Sequence, residues 1–224
     1  MRTVAVIGGS PQDTCLGAEV LARLAPELNL LEQSVSESPR AQTLFQNAGP
    51  EFRQQHMCEV LRGVQAQGAH GAYIYCNSLS GATDLSALGT ELGLPLVTPL
   101  HAYREWAHEY RALGVMAANA SGHAGIERTL LHANPELRLI QFAQLDLADA
   151  VEQGRSPQDT VQAFHLAELT SLLSRLGAEA IILGCTHFPA FGAALAPLSP
   201  VPLLDPAGEM WQQLAAQLEH SAKK

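Results

Sequence analysis

The feature that most constrains this chain is that it repeats itself. Val60 and Leu169, Val64 and Leu173, Gly68 and Gly177, Ala69 and Ala178, and Cys76 and Cys185 each stand 109 positions apart. The order of elements repeats with them. Met57, Val60, Leu61 and Val64, and later Leu169, Leu172, Leu173 and Leu176, fall at i, i+3, i+4 and i+7, the spacing of an amphipathic helix. Each series runs into a short apolar stretch that stops at a cysteine. The first strands, matched as Val4 with Val115, differ by 111, and the last, matched as Val97 with Leu203, by 106. A duplicated unit of this kind predicts two similar domains.

Short β-like runs alternate with longer helical patterns, which is the signature of parallel strands with helical crossovers. The patterns predict strands over residues 3–7, 28–31, 71–75, 94–98, 113–117, 137–142, 180–183 and 201–204. Helices are predicted over 14–24, 52–67, 85–92, 125–132, 161–176 and 208–219. Residues 34–50, rich in Ser, Pro and Gln, read as an irregular loop. Residues 101–111, with Tyr103, Trp106 and Tyr110 among charges, read as a partly exposed helix that offers a dimer contact or a plain solvated face. The expected fold class is α/β: two pseudo-symmetric βα sandwich domains with parallel-rich four-stranded sheets and an interdomain cleft. Residues 1–99 with the C-terminal helix 207–224 form the first domain and 100–206 the second.

At 224 residues the chain can bury on the order of 70% of its unfolded surface. With 47% hydrophobic and 16% charged residues it has material for an ample core. A formal net charge of −9 argues against nucleic acid or an anionic membrane surface as partner, and a small molecule is expected instead. No apolar run reaches the 18 residues of a membrane span, and the opening MRTVAVIGGSP passes straight into a strand and a glycine turn. A cytoplasmic location is expected, with reduced thiols. The four cysteines, Cys15, Cys58, Cys76 and Cys185, include no C-x-x-C pair. Cys15 and Cys58 read as small core hydrophobes. The spacing of His, Cys, Asp and Glu matches no metal site, since Cys185-x-His187 supplies two ligands where zinc takes three or four.

Cys76 and Cys185 stand apart because both sit where an apolar strand ends, and parallel sheets bind ligands at the carboxyl ends of their strands. Inverting a carbon that carries a proton needs one group to remove that proton and another to deliver one to the opposite face. Two thiols suit both tasks. A helix beginning near Gly81 is expected to lower the Cys76 pKa toward ambient pH, where a base works best. Asn77, Ser78, Thr186 and nearby loop amides are placed to hold a carboxylate while negative charge builds on the carbon. His187, two residues beyond Cys185, is placed to tune that thiol. The turn Gly8-Gly9-Ser10-Pro11 brings backbone amides close to an anion.

These residues carry a resemblance. G-C-T-H-F-P at 184–189, C-N-S at 76–78 and G-G-S-P-x-x-T at 8–14, in this order over nearly the whole chain, resemble the cofactor-independent aspartate/glutamate racemase family. The resemblance implies a two-domain, commonly homodimeric enzyme with neither pyridoxal phosphate nor metal. It implies an amino acid or dicarboxylate as substrate, of aspartate/glutamate type or of broad specificity. It implies Cys76 and Cys185 as the two acid/base residues, with Gly9, Ser10, Asn77, Ser78, Thr186, His187, Asn119 and Ser121 around the substrate. Glutamate-type members open with an Asp-Ser-Gly turn; here that place reads Gly8-Gly9-Ser10, closer to aspartate and broad-specificity relatives. Those relatives carry two threonines where this chain has Ala118 and Ser121, and an Arg and a Lys for the side-chain carboxylate. Arg40 takes the place of the Arg, while Gln153 stands near the place of the Lys. Two alternatives on the same scaffold are an isomerase of unsaturated diacids or a decarboxylase, and a catalytically silent small-ligand binding protein.

Overall fold

Side chains alternate across a strand, so a run of apolar residues without a polar break must find cover on both faces. β1 (Thr3–Gly8) does so: Val4 and Val6 pack on one face with Leu21, Met210, Leu214 and Leu218, while Ala5 and Ile7 pack on the other with Met57, Leu61 and Val64. A computed structural model describes residues 2–221. It divides into two compact units, Met1–Ala102 with Ala207–Lys224, and Tyr103–Pro206.

After β1 come α1 (Pro11–Leu24), β2 (Asn29–Ser34), α2 (Pro39–Gln46), α3 (Pro50–Ala66), β3 (Gly71–Ile74), α4 (Asn77–Ala82), α5 (Leu85–Leu92) and β4 (Leu96–Val97). Next are α6 (Pro99–Glu109), β5 (Ala112–Ala117), α7 (Ala120–Ala133), β6 (Arg138–Ala143), α8 (Asp146–Glu152), α9 (Pro157–Ala163), α10 (Leu166–Arg175), β7 (Ala180–Leu183), α11 (Pro189–Leu195) and β8 (Leu203–Leu204). The last element, α12 (Ala207–Ser221), packs Met210, Leu214 and Leu218 into the first unit. The first sheet runs β2-β1-β3-β4 and the second β6-β5-β7-β8, and every pairing is parallel. The α/β class with two four-stranded parallel sheets is thus observed.

Strand register sharpens the repeat. Val4 pairs with Gly71 and Leu113 with Ala180, so the counterpart of Val4 is Leu113, 109 residues on, and not Val115. The second strands, 29–34 and 138–143, also correspond at 109. In the last strands Leu96 pairs with Ala72 and Leu203 with Ile181, which sets their offset at 107 in place of 106. Matching residue types misaligned these strands because hydrogen bonding, and not side-chain identity, defines equivalence. The Gly68 and Gly177 pair has a backbone cause. Both adopt left-handed φ, +91° and +97°, just past α3 and α10, and the next amide returns to a carbonyl inside the helix (Ala69 to Val64, Ala178 to Leu173, 3.0 Å each).

Several expectations need correction. α1 begins at Pro11, not near Thr14, because Ser10 caps it and proline fits the first helical turn. The supposed loop 34–50 contains α2. The single helix expected over 161–176 breaks at His165, whose φ is +51°, giving α9 and α10. Over 101–111, Tyr103 and Trp106 are buried and Tyr110 is half-buried, while Arg104, Glu105, His108 and Glu109 are exposed, so of the two readings the plain solvated face fits. Cys15 is exposed on α1 and is no core residue, whereas Cys58 is partly buried against the first core. Among the described residues no helix is long and apolar enough to cross a membrane.

Candidate active site

Cys76 stands two residues past β3 and takes the N-cap position of α4, in extended backbone (φ −163°, ψ 117°). It is buried. Ser78 Oγ lies 3.6 Å from its sulfur, and Gln46 Nε2 of α2 donates to that same oxygen at 2.8 Å. With a lone pair of Ser78 taken by Gln46, its hydroxyl proton is free to turn to the sulfur. Burial pushes the Cys76 thiol up to about 12, and the negative charge of the buried Asp13 pushes the same way; amides of Leu79 and Gly9 and the Ser78 hydroxyl offset only part of this. The sequence suggested the reverse. A helix N-terminus was expected to lower this pKa, but the helix that follows is the six-residue α4, and desolvation of the sulfur outweighs its amides. At neutral pH Cys76 keeps its proton.

Gly9 sits against this thiol. A Cβ added to Gly9 would stand 3.0 Å from Cys76 Sγ and 2.8 Å from Gln42 Nε2, and one added to Gly8 would stand 2.4 Å from the Thr14 amide. The two glycines therefore let the β1–α1 turn close onto the thiol. Ser10 Oγ accepts from the Asp13 amide at 3.3 Å, and so serves the helix as its cap.

Cys185 follows β7, 109 residues beyond Cys76, and is only partly buried. Its neighbour two residues on is again polar, but it is an imidazole. His187 Nδ1 lies 3.5 Å from Cys185 Sγ, and His187 Nε2 lies 3.1 Å from Glu152 Oε1 at the end of α8. A carboxylate on Nε2 selects the tautomer with hydrogen there, leaving the Nδ1 lone pair toward the thiol. Thiol, imidazole and carboxylate in this order form an activated nucleophile or base. Thr186, like Asn77 at the matching position, is buried.

The structure thus brings Gly9, Asn77 and Ser78 to Cys76, and Thr186 and His187 to Cys185. Asn119 occupies the position matching Ser10, and its Oδ1 caps α7 by accepting from Gly122 at 2.9 Å. Ser121, in the first turn of α7, and Arg40, on α2, are exposed. Asp13, Gln42, Gln46 and Glu152 were not singled out from the sequence. For Glu152 a signal exists in the sequence: it is the acid beside Gln153, which stands near the place of the family's lysine. Among the described residues no three His, Cys, Asp or Glu side chains cluster to hold a metal ion.

The profile of the Asp/Glu/Hydantoin racemase family matches residues 18–214. The chain is 32% identical over 145 residues to the glutamate racemase of Limosilactobacillus reuteri, covering 62% of this chain and 54% of that one. It spans between about half and two thirds of the length of the first curated relatives that it matches. Among solved structures, glutamate racemase from Francisella tularensis, crystallised with D-glutamate, superposes with a TM-score of 0.78 at 18% identity, over 99% of this chain and 82% of that one. An aspartate racemase homologue from Pyrococcus horikoshii gives 0.71 at 17% identity, over 98% and 100%. The duplicated parallel sheets and the thiol at each third strand end are accounted for together: this chain belongs to the Asp/Glu/Hydantoin racemase family.

Proposed function

We propose that this protein is an amino-acid racemase that needs no cofactor and inverts the α-carbon with Cys76 and Cys185 as its two acid/base residues. The observation that carries this reading is the equivalence of the two thiols: same strand end, same offset, each with a polar partner two residues on. In one direction His187 takes the Cys185 proton, Glu152 stabilises the imidazolium, and the Cys185 thiolate removes the α-hydrogen of the bound amino acid as a proton. Cys76, held as a thiol, then supplies a proton to the other face of the carbon. The reverse reaction exchanges the roles. Amides near Gly9 and the side chains of Asn77, Ser78, Thr186, Asn119 and Ser121 hold the substrate's carboxylate and ammonium groups, and Ser10 and Arg40 border them. Carboxylate binding disperses the charge that builds as the proton leaves.

The curated relatives are glutamate racemases, which supports an amino acid as substrate. The two units are read as two racemase-like domains, and a homodimer acting in the cytoplasm completes the proposal. The test is a screen of amino acids in deuterated water. An enantiomer that is inverted should carry one deuterium at its α-carbon. Inversion that retains the original α-hydrogen, or no inversion of any amino acid, would overturn the reading.

A further inference from the structure

α2 carries one buried polar side chain that the chemistry above does not use. Gln42 is 6% exposed; its Oε1 accepts from Ser36 Oγ at 3.0 Å, while its Nε2 is buried with no hydrogen-bond partner. A buried donor left unpaired is costly, so it is retained where something arrives to pair with it. Its position says where. The same Cβ on Gly9 would meet both Gln42 Nε2, at 2.8 Å, and Cys76 Sγ, at 3.0 Å. Unpaired donor and thiol therefore lie less than about 6 Å apart, both packed against Gly9, which has no side chain to separate them.

We infer that Gln42 Nε2 donates a hydrogen bond to a side-chain oxygen of the amino acid bound beside Cys76, and that it selects a neutral carboxamide over a carboxylate. The inference rests on the racemase reading. In that reading the substrate's own carboxylate belongs to the strand-end residues Asn77 and Ser78, which leaves the α2 donor for the side chain. The selection follows from charge. Gln42 is uncharged, and the carboxylate of Asp13 acts on Cys76 within a desolvated setting, where a second anion is repelled. Arg53, the cation of α3, is committed to the carbonyls of Gln46, Ala48 and Ala82. Arg40 is on α2 but exposed, and positions two apart on a helix do not share a face.

The test compares the wild-type chain with Gln42→Met and Gln42→Glu. Racemisation and calorimetric binding are measured for asparagine and glutamine, for aspartate and glutamate, and for norvaline as the side chain without oxygen. The wild type should favour a carboxamide over both other classes. Q42M should lose about tenfold in kcat/KM for the carboxamide, chiefly through KM, with norvaline unchanged. Q42E keeps shape and burial; it should retain carboxamides, which can turn their NH2 toward it, and weaken carboxylates further. A class preference that is the same in all three proteins overturns the inference, as does failure of every amino acid to bind. The two readings fail separately. Gln42-dependent binding without α-hydrogen exchange would sink the racemase reading and leave the contact standing. Exchange with a preference indifferent to residue 42 would do the opposite.

Discussion

Cys76 and Cys185 occupy the same place in two copies of one unit, yet their surroundings are chemically opposite. Both thiols stand two residues past the third strand of a β2-β1-β3-β4 type sheet, and each is followed at the second residue by a polar side chain that leans on its sulfur. Behind that side chain stands a residue from the helix after the second strand, Gln46 from α2 or Glu152 from α8. In the first unit the series is thiol, hydroxyl, amide, and none of its members takes up a proton near pH 7. In the second it is thiol, imidazole, carboxylate, which is built to take one. Duplication fixed where the two sulfurs stand. Divergence around each gave the two sulfurs different partners, a hydroxyl backed by an amide at Cys76 and an imidazole backed by a carboxylate at Cys185.

This contrast is breakable. The largest effect should come from His187→Ala, which removes the proton acceptor that lies against the Cys185 sulfur; kcat should fall by on the order of a hundredfold or more. Ser78→Ala at the matching position should cost no more than a few-fold, since the hydroxyl only adjusts a thiol that burial already keeps protonated. Steady-state rates on the same substrate decide it, and equal losses would erase the proposed difference. A smaller effect is expected in stability. The folded state holds the Cys76 proton to about 12, while the unfolded chain releases it near 9.0, so between these values the native form binds more protons. Its contribution is complete below pH 9 and is lost as pH climbs from 9 toward 12. Melting temperatures of wild type and Cys76→Ser, measured from pH 8 to 10.5, should converge or cross as the wild type loses its advantage. Curves that stay parallel would mean that Cys76 titrates as an exposed thiol does.

Much of this architecture was legible in the residues. Apolar runs such as Ala180 to Leu183 need cover on both faces, and that alone calls for parallel strands between helices. The repeated Gly-Ala pair at 68–69 and 177–178 marked helix ends because their left-handed φ favours glycine. His187 was visible through its place two residues after a cysteine. What stayed hidden depends on contacts that no local pattern records. α2 is eight residues long within a stretch rich in Ser, Pro and Gln, too short for a periodicity to show. Glu152 and Gln46 reach their partners only once α8 and α2 are laid against the strand ends. The direction of the Cys76 shift was misread for the same reason: a helix N-terminus can be seen in a sequence, whereas the burial that outweighs it is a property of the packed core.

The central claim is that both sulfurs carry out the inversion and that neither suffices alone. The most direct test is to follow, in deuterated water, the optical inversion of the best wild-type substrate by Cys76→Ser and Cys185→Ser, each offered the L- and the D-isomer separately. The account predicts that both variants keep their fold and lose racemisation in both directions. Inversion at a rate near the wild type's in either variant would contradict it.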